Sequence, residues 1–108
     1  MKIKIFKKPR LFQVNQITIK DFGKIKLKKN EMVSFVTKSK KEYDFTAKDW
    51  GFYVTQSING RLKKEGFKIV IVKNKLGKFY VMAVEKEKIK IFKKFCLKEN
   101  KKIIKWLG

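Results

Sequence analysis

The sequence has no histidine and only one cysteine, Cys96, in 108 residues. An internal disulfide is therefore impossible, and neither a histidine–cysteine zinc site nor an imidazole-activated thiol can be assembled. A lone thiol suits a reducing compartment, so a cytoplasmic location is expected. Proline occurs once, at Pro9, and no linker or internal repeat interrupts the chain. At this length one hydrophobic core is expected, and residues 1–108 read as a single domain.

Long apolar runs are also missing. The longest, residues 79–84, is six residues, against the roughly 20 that a spanning helix needs. Integral membrane insertion is not expected. Residues 1–12 alternate lysine with apolar side chains and contain Pro9, a pattern without the continuous apolar stretch of a secretory signal.

Acids are the scarcest of the common groups: nine Asp and Glu stand against thirty Lys and Arg, a net charge of +21. Such an excess sets a positive potential over much of the surface and attracts phosphate-bearing polymers. Part of it is compositional. All but two of the basic residues are lysine, the exceptions being Arg10 and Arg61, while Ile, Phe and Asn are plentiful and Ala occurs only at Ala47 and Ala83. This is the mark of a genome rich in A and T. The same bias leaves Asp and Glu codons untouched, so it does not account for the shortage of acids.

What is abundant is core material. Hydrophobic residues make up 44% of the chain and include ten Phe, three Tyr and two Trp, which excludes a disordered chain. Lysine alternates with Ile and Phe over residues 2–7 at the period of a half-buried strand, with Pro9 ending or bending it. Residues 11–19 suggest a strand with a bulge, or two short pieces. Residues 25–27, 32–37 and 42–47 read as three short strands joined by Lys/Asn and Ser/Lys turns. From Thr55 the spacing of Ile58 and Leu62 predicts one short helix stopped at Gly66. Residues 67–72 and 79–84 form a predicted hairpin across an Asn/Gly-containing turn. Beyond Val84, apolar residues at Ile89, Phe92, Cys96, Ile103 and Leu107 predict a C-terminal amphipathic helix, with a break near Asn100. The fold class is thus α+β: a mostly antiparallel sheet with a short inserted helix and a C-terminal amphipathic helix.

The chemically richest stretch runs through residues 49–61. Trp50 and Tyr53 precede a predicted helix start carrying Thr55, Ser57, Asn59 and Arg61, where backbone N–H groups, hydroxyls and a guanidinium could converge on a phosphate or carboxylate. Arg61 is notable in a chain that otherwise writes lysine, because a guanidinium offers planar, bidentate geometry that an ammonium does not. Gly60 inside a helix would cost about 1 kcal/mol relative to Ala, unless a ligand approaches there or the helix begins later. The plainer reading has Thr55 or Ser57 capping the helix, the aromatics in the core and Arg61 paired with a surface carboxylate.

A second candidate is a basic stripe on the last predicted helix, Lys90, Lys94, Lys98, Lys101 and Lys105, able to track a phosphate backbone or an acidic membrane surface, or simply to be solvated. Tyr43, Phe45, Trp50 and Tyr53, set among lysines, could stack on unpaired bases. The ribonucleoprotein aromatic motif, the Walker loop, the dinucleotide fingerprint and the nucleophile elbow are all missing. The acids are scattered, although Asp44 and Asp49 could meet near the aromatic segment. A noncatalytic protein without cofactor or metal is the favoured reading.

The residues Trp50-Gly51-Phe52-Tyr53 and Ser57-Ile58-Asn59-Gly60-Arg61-Leu62, followed by Gly66-Phe67 and Val72-Lys73-Asn74, resemble small uncharacterised bacterial proteins associated with surface-polysaccharide biosynthesis. The resemblance covers about half of the chain and implies an accessory role near nucleotide-sugar chemistry, with no functional residue carried across. Two readings follow: a basic domain that binds a phosphate-bearing polyanion, nucleic acid foremost, or an accessory or ligand-binding protein of nucleotide-sugar metabolism.

Overall fold

A computed structural model describes all 108 residues: eight strands in mostly antiparallel sheets and two α-helices, an α+β architecture. By its internal contacts the chain divides into two compact units, residues 1–33 with 45–53, and residues 34–44 with 54–108.

In the first unit, β1 (Lys2–Val14) and β2 (Ile17–Lys26) form a two-stranded antiparallel ribbon. Its turn is Asn15-Gln16, with Asn15 at φ 54°, a left-handed conformation that Asn tolerates better than most residues. The register runs from Lys2 opposite Lys26 to Val14 opposite Ile17, with a shift between Ile5 and Arg10. Residues 6–9 bulge there, and Pro9 lies where its missing N–H breaks no ladder bond. Gly23 faces Ile5, and a Cβ at position 23 would collide with the Lys4 carbonyl oxygen.

Alternation gives the ribbon two chemically different faces. One carries the apolar pairs Ile3–Ile25, Phe12–Ile19 and Val14–Ile17, together with the pair Arg10–Asp21. The other carries the pairs Lys2–Lys26 and Lys4–Lys24, then Phe22, and Lys20 opposite Leu11. Asp21 accepts from Arg10 Nε at 2.9 Å, and its other oxygen accepts the Gly23 N–H at 3.1 Å. Arg10, followed by Gly23, holds this carboxyl below the usual carboxylate range.

β3 (Met32–Val36), β4 (Glu42–Lys48) and β5 (Gly51–Val54) follow in the order β3-β4-β5. In the first unit, the Asn30 N–H donates to the Ala47 carbonyl at 2.8 Å, the Ala47 N–H donates to the Glu31 carbonyl at 2.9 Å, and Lys29 pairs with Asp49 at 3.4 Å.

The second unit is built around β6 (Phe67–Lys73), which pairs antiparallel with β7 (Phe79–Glu85) on one side and β8 (Lys102–Leu107) on the other. Its β-branched alternation supplies both faces. Val70 and Val72 join Val84 and Cys96 beneath Phe92, Phe95 and Trp106, whereas Phe67 and Ile69 join Leu62 against Tyr43 and Leu107. Leu62, Val70 and Val72 are fully buried, each worth roughly 1.5–3 kcal/mol relative to exposure. A 3-10 turn, Lys86–Lys88, leads into α2 (Ile89–Lys98), whose apolar side contributes Phe92, Phe95 and Cys96 to the first of these clusters. α1 (Arg61–Glu65) ends at Gly66, at φ 99°, whose N–H donates to the Lys63 carbonyl at 3.0 Å.

Three elements depart from the sequence expectation. Residues 25–27 are not a strand of their own, because β2 runs on through Gly23 to Lys26, whereas residues 11–19 are the two pieces expected, divided between β1 and β2 by the Asn15-Gln16 turn. The short helix begins at Arg61 rather than near Thr55, so Gly60 occupies the cap position and carries no interior-helix penalty. The C-terminal helix closes at Lys98, and residues 102–107 are strand β8. Asn100, at φ 54°, turns the chain there, and Ile103 and Trp106 pack against one core cluster of the sheet while Leu107 packs against the other.

Candidate functional site

The six residues that the sequence groups as an anion pocket belong to both units. Trp50 and Tyr53 lie on the first; Thr55, Ser57, Asn59 and Arg61 lie on the second. In the first unit the Trp50 and Tyr53 rings are 6.1 Å apart, and Lys48 Nζ stands 5.9 Å from the Tyr53 ring. Trp50, Phe52 and Tyr53 are 69%, 61% and 39% exposed, so they are not core residues.

In the second unit, Thr55, Gln56 and Arg61 are tied to the start of β4. Asp44 donates its N–H to Gln56 Oε1 at 2.8 Å, Gln56 Nε2 donates to the Glu42 carbonyl at 3.0 Å, and the Thr55 N–H donates to the Asp44 carbonyl at 3.0 Å. Arg61 Nη2 donates to Asp44 Oδ2 at 2.8 Å. The guanidinium side chain remains 62% exposed while its carboxylate partner is buried, with Oδ1 unpartnered. No side chain caps α1, so neither Thr55 nor Ser57 does so. The Ser57 carbonyl accepts from Gly60 and Leu62, and Ser57 and Asn59 face solvent. One guanidinium edge thus stabilises a buried acid and the rest is open to a ligand.

The basic stripe is divided by the strand that replaces the end of the expected helix. Lys90, Lys94 and Lys98 are exposed on α2, at a spacing of four that keeps them on one face. Lys101 follows the helix, half-buried, with Nζ 5.2 Å from the Tyr80 ring; Lys105 is on β8 opposite Ile71. Of the aromatics proposed for base stacking, Tyr43 is packed in the interior 5.7 Å from Phe67, where burial pushes its phenol up.

Six of the nine acids are ion-pair partners. Asp44 pairs with Arg61 and Asp49 with Lys29, not with each other. Buried Glu85 accepts hydrogen bonds from the Ser39 and Thr37 hydroxyls, and Lys88 pairs with it at 3.1 Å. Ser39 first, then Lys88, hold its carboxyl below the usual range. Burial pushes the Cys96 thiol up, away from the thiolate a nucleophile requires. No three His, Cys, Asp or Glu side chains gather where they could hold a metal ion.

Sequence reading passed over the lysine face of the β1–β2 ribbon, having taken residues 2–7 as a half-buried strand without assigning its partner. The available signal was the matched alternation of Lys2 and Lys4 with Lys20, Lys24 and Lys26 around the two-residue Asn15-Gln16 turn. No family model, curated protein or solved structure matches this chain, and no helix is long and apolar enough to cross a membrane.

Proposed function

We propose that this chain is a noncatalytic, basic binding protein for a phosphate-bearing polyanion, with nucleic acid as its ligand in a reducing, cytoplasmic compartment. One observation carries the reading: nine carboxylates can neutralise at most nine of thirty cations, and six of those carboxylates are already engaged in ion pairs. A surface so short of internal counter-charge gathers mobile anions, and a polymer that displaces them gains their release entropy. The exposed stripe Lys90, Lys94 and Lys98 supports the same reading.

The test is a titration of the chain with fluorescent single-stranded RNA, single-stranded DNA and duplex DNA at about 50 mM and about 200 mM salt. Binding at the lower salt that weakens steeply at the higher is expected. No binding to any of the three at the lower salt overturns the proposal.

A second reading, an accessory protein of nucleotide-sugar metabolism, draws support from the exposed part of Arg61 and from the resemblance noted above. It predicts that nucleotide sugars or nucleoside diphosphates raise the melting temperature. A melting temperature unmoved by any of them removes this reading.

A further inference from the structure

We infer that the lysine face of the β1–β2 ribbon is a seat for a single strand of nucleic acid, with phosphates along Lys2, Lys4, Lys20, Lys24 and Lys26 and a base stacked on Phe22. This inference rests on the function proposed above and gives it a place.

The sequence builds this face by simple alternation. On β2, Lys20, Phe22, Lys24 and Lys26 are two residues apart, so their side chains leave one side of the ribbon about 6.6–6.8 Å from each other. Across the ladder Lys2 stands directly opposite Lys26, and Lys4 directly opposite Lys24. Opposed pairs of this kind place their Cβ atoms only about 4.5–5.5 Å apart, and like charges so placed weaken a ribbon that has no third strand to support it. The only carboxylate in the ribbon, Asp21, is on the opposite face and is committed to Arg10. None of the five lysines takes part in any of the six ion pairs. Short of an ion pair, Lys24 feels the charge of Asp21, and Lys4 Nζ lies 5.9 Å from the Phe6 ring. A string of phosphates supplies the missing counter-charge.

The choice of a single strand over other polyanions comes from Phe22. Its ring is 60% exposed and lies within the row of lysines, where a purely electrostatic surface has no use for it. An unpaired base can stack on such a ring while its neighbouring phosphates meet the flanking cations, an arrangement that tolerates any sequence. Paired bases of a duplex are already stacked and leave the ring uncovered.

The test compares the intact chain with variants, using fluorescence anisotropy on oligo(dT) and oligo(U). Phe22→Ser is expected to weaken binding roughly tenfold, and Phe22→Trp to restore it. The fourfold variant Lys2→Gln, Lys4→Gln, Lys24→Gln, Lys26→Gln is expected to make the salt slope shallower by about 0.7 for each lysine that meets a phosphate. The control Lys90→Gln, Lys94→Gln, Lys98→Gln removes charge from α2 and is expected to leave the Phe22 effect intact. Circular dichroism of each variant confirms the strand content against which its affinity is read.

Wild-type affinity in both ribbon variants, with the α2 control weakened, overturns this inference and leaves the proposed function standing. Tighter binding to duplex than to single strands, or binding to anionic phospholipid vesicles but not to the oligomers, also overturns it. Failure of the intact chain to bind any nucleic acid at low salt removes the proposed function itself.

Discussion

At Glu85 the chemistry of single side chains becomes a pH dependence. Its carboxylate is held by the Ser39 and Thr37 hydroxyls and by Lys88, and its pKa is lowered in the folded chain. A group with a depressed folded pKa stabilises the fold above its unfolded value and loses that contribution as pH falls through the folded one. Glu31 and Glu87 are lowered in the same direction, the first chiefly by the Lys28 N–H and the second by Lys41. Stability should therefore be level near neutrality and fall on acidification below the usual carboxylate range. Glu85→Gln should be less stable at neutral pH and should shed less on acidification, as read by urea denaturation across that window.

Arg61 and Asp44 make a second prediction at this scale. Removing the guanidinium leaves a buried acid with one oxygen already unpartnered. Arg61→Ala should cost about 1–3 kcal/mol in chemical denaturation, whether or not the exposed part of Arg61 also meets a ligand. The double variant Arg61→Ala, Asp44→Asn should recover part of that loss.

Among the elements, the ribbon depends on Gly23. Any Cβ there meets the Lys4 backbone oxygen, and backbone cannot move aside as a flexible side chain can. Gly23→Ala should separate β1 from β2 near the bulge and weaken amide protection in the ribbon, while β6 and α2 retain theirs; hydrogen exchange resolved by residue checks this.

The elements also mark how far the sequence could be read. The hairpin of β6 and β7 was legible because its β-branched runs flank a turn with Asn74 and Gly77. The start of α1 was not, because Thr55 and Gln56 are held to Glu42 and Asp44 by long-range hydrogen bonds that have no local signature. β8 was misread as helix because Ile103 and Leu107 fit a helical spacing of four, whereas a register shift in the pairing with β6 sets them in the strand against Val72 and Ile69, on opposite faces of the sheet, which no local pattern foretells. The residues proposed as an anion pocket stand out in the sequence by type, but their neighbours do not. The Asp44 partner of Arg61 lies 17 residues away, and the exposure of Trp50 and Phe52 contradicts their hydrophobicity.

For the molecule as a whole, charge dominates. The first unit holds eleven of the thirty cations and three of the nine carboxylates; the second holds the remainder, so both are strongly positive. Self-repulsion of this size destabilises the folded chain and is screened by salt. The melting temperature should rise as sodium chloride is raised from about 10 mM to about 150 mM, the range over which the screening length falls from roughly 30 Å to 8 Å. A melting temperature that falls over that range would show that attractive ion pairs outweigh the repulsion.

The position of β6 has a kinetic corollary. It alone in its sheet has a hydrogen-bonded neighbour on each side, and side chains cover both of its surfaces. Its backbone amides can meet deuterated solvent only when the second unit opens as a whole. Their exchange clocks that opening, whereas β1 and β2, each with one free edge, report only local breathing.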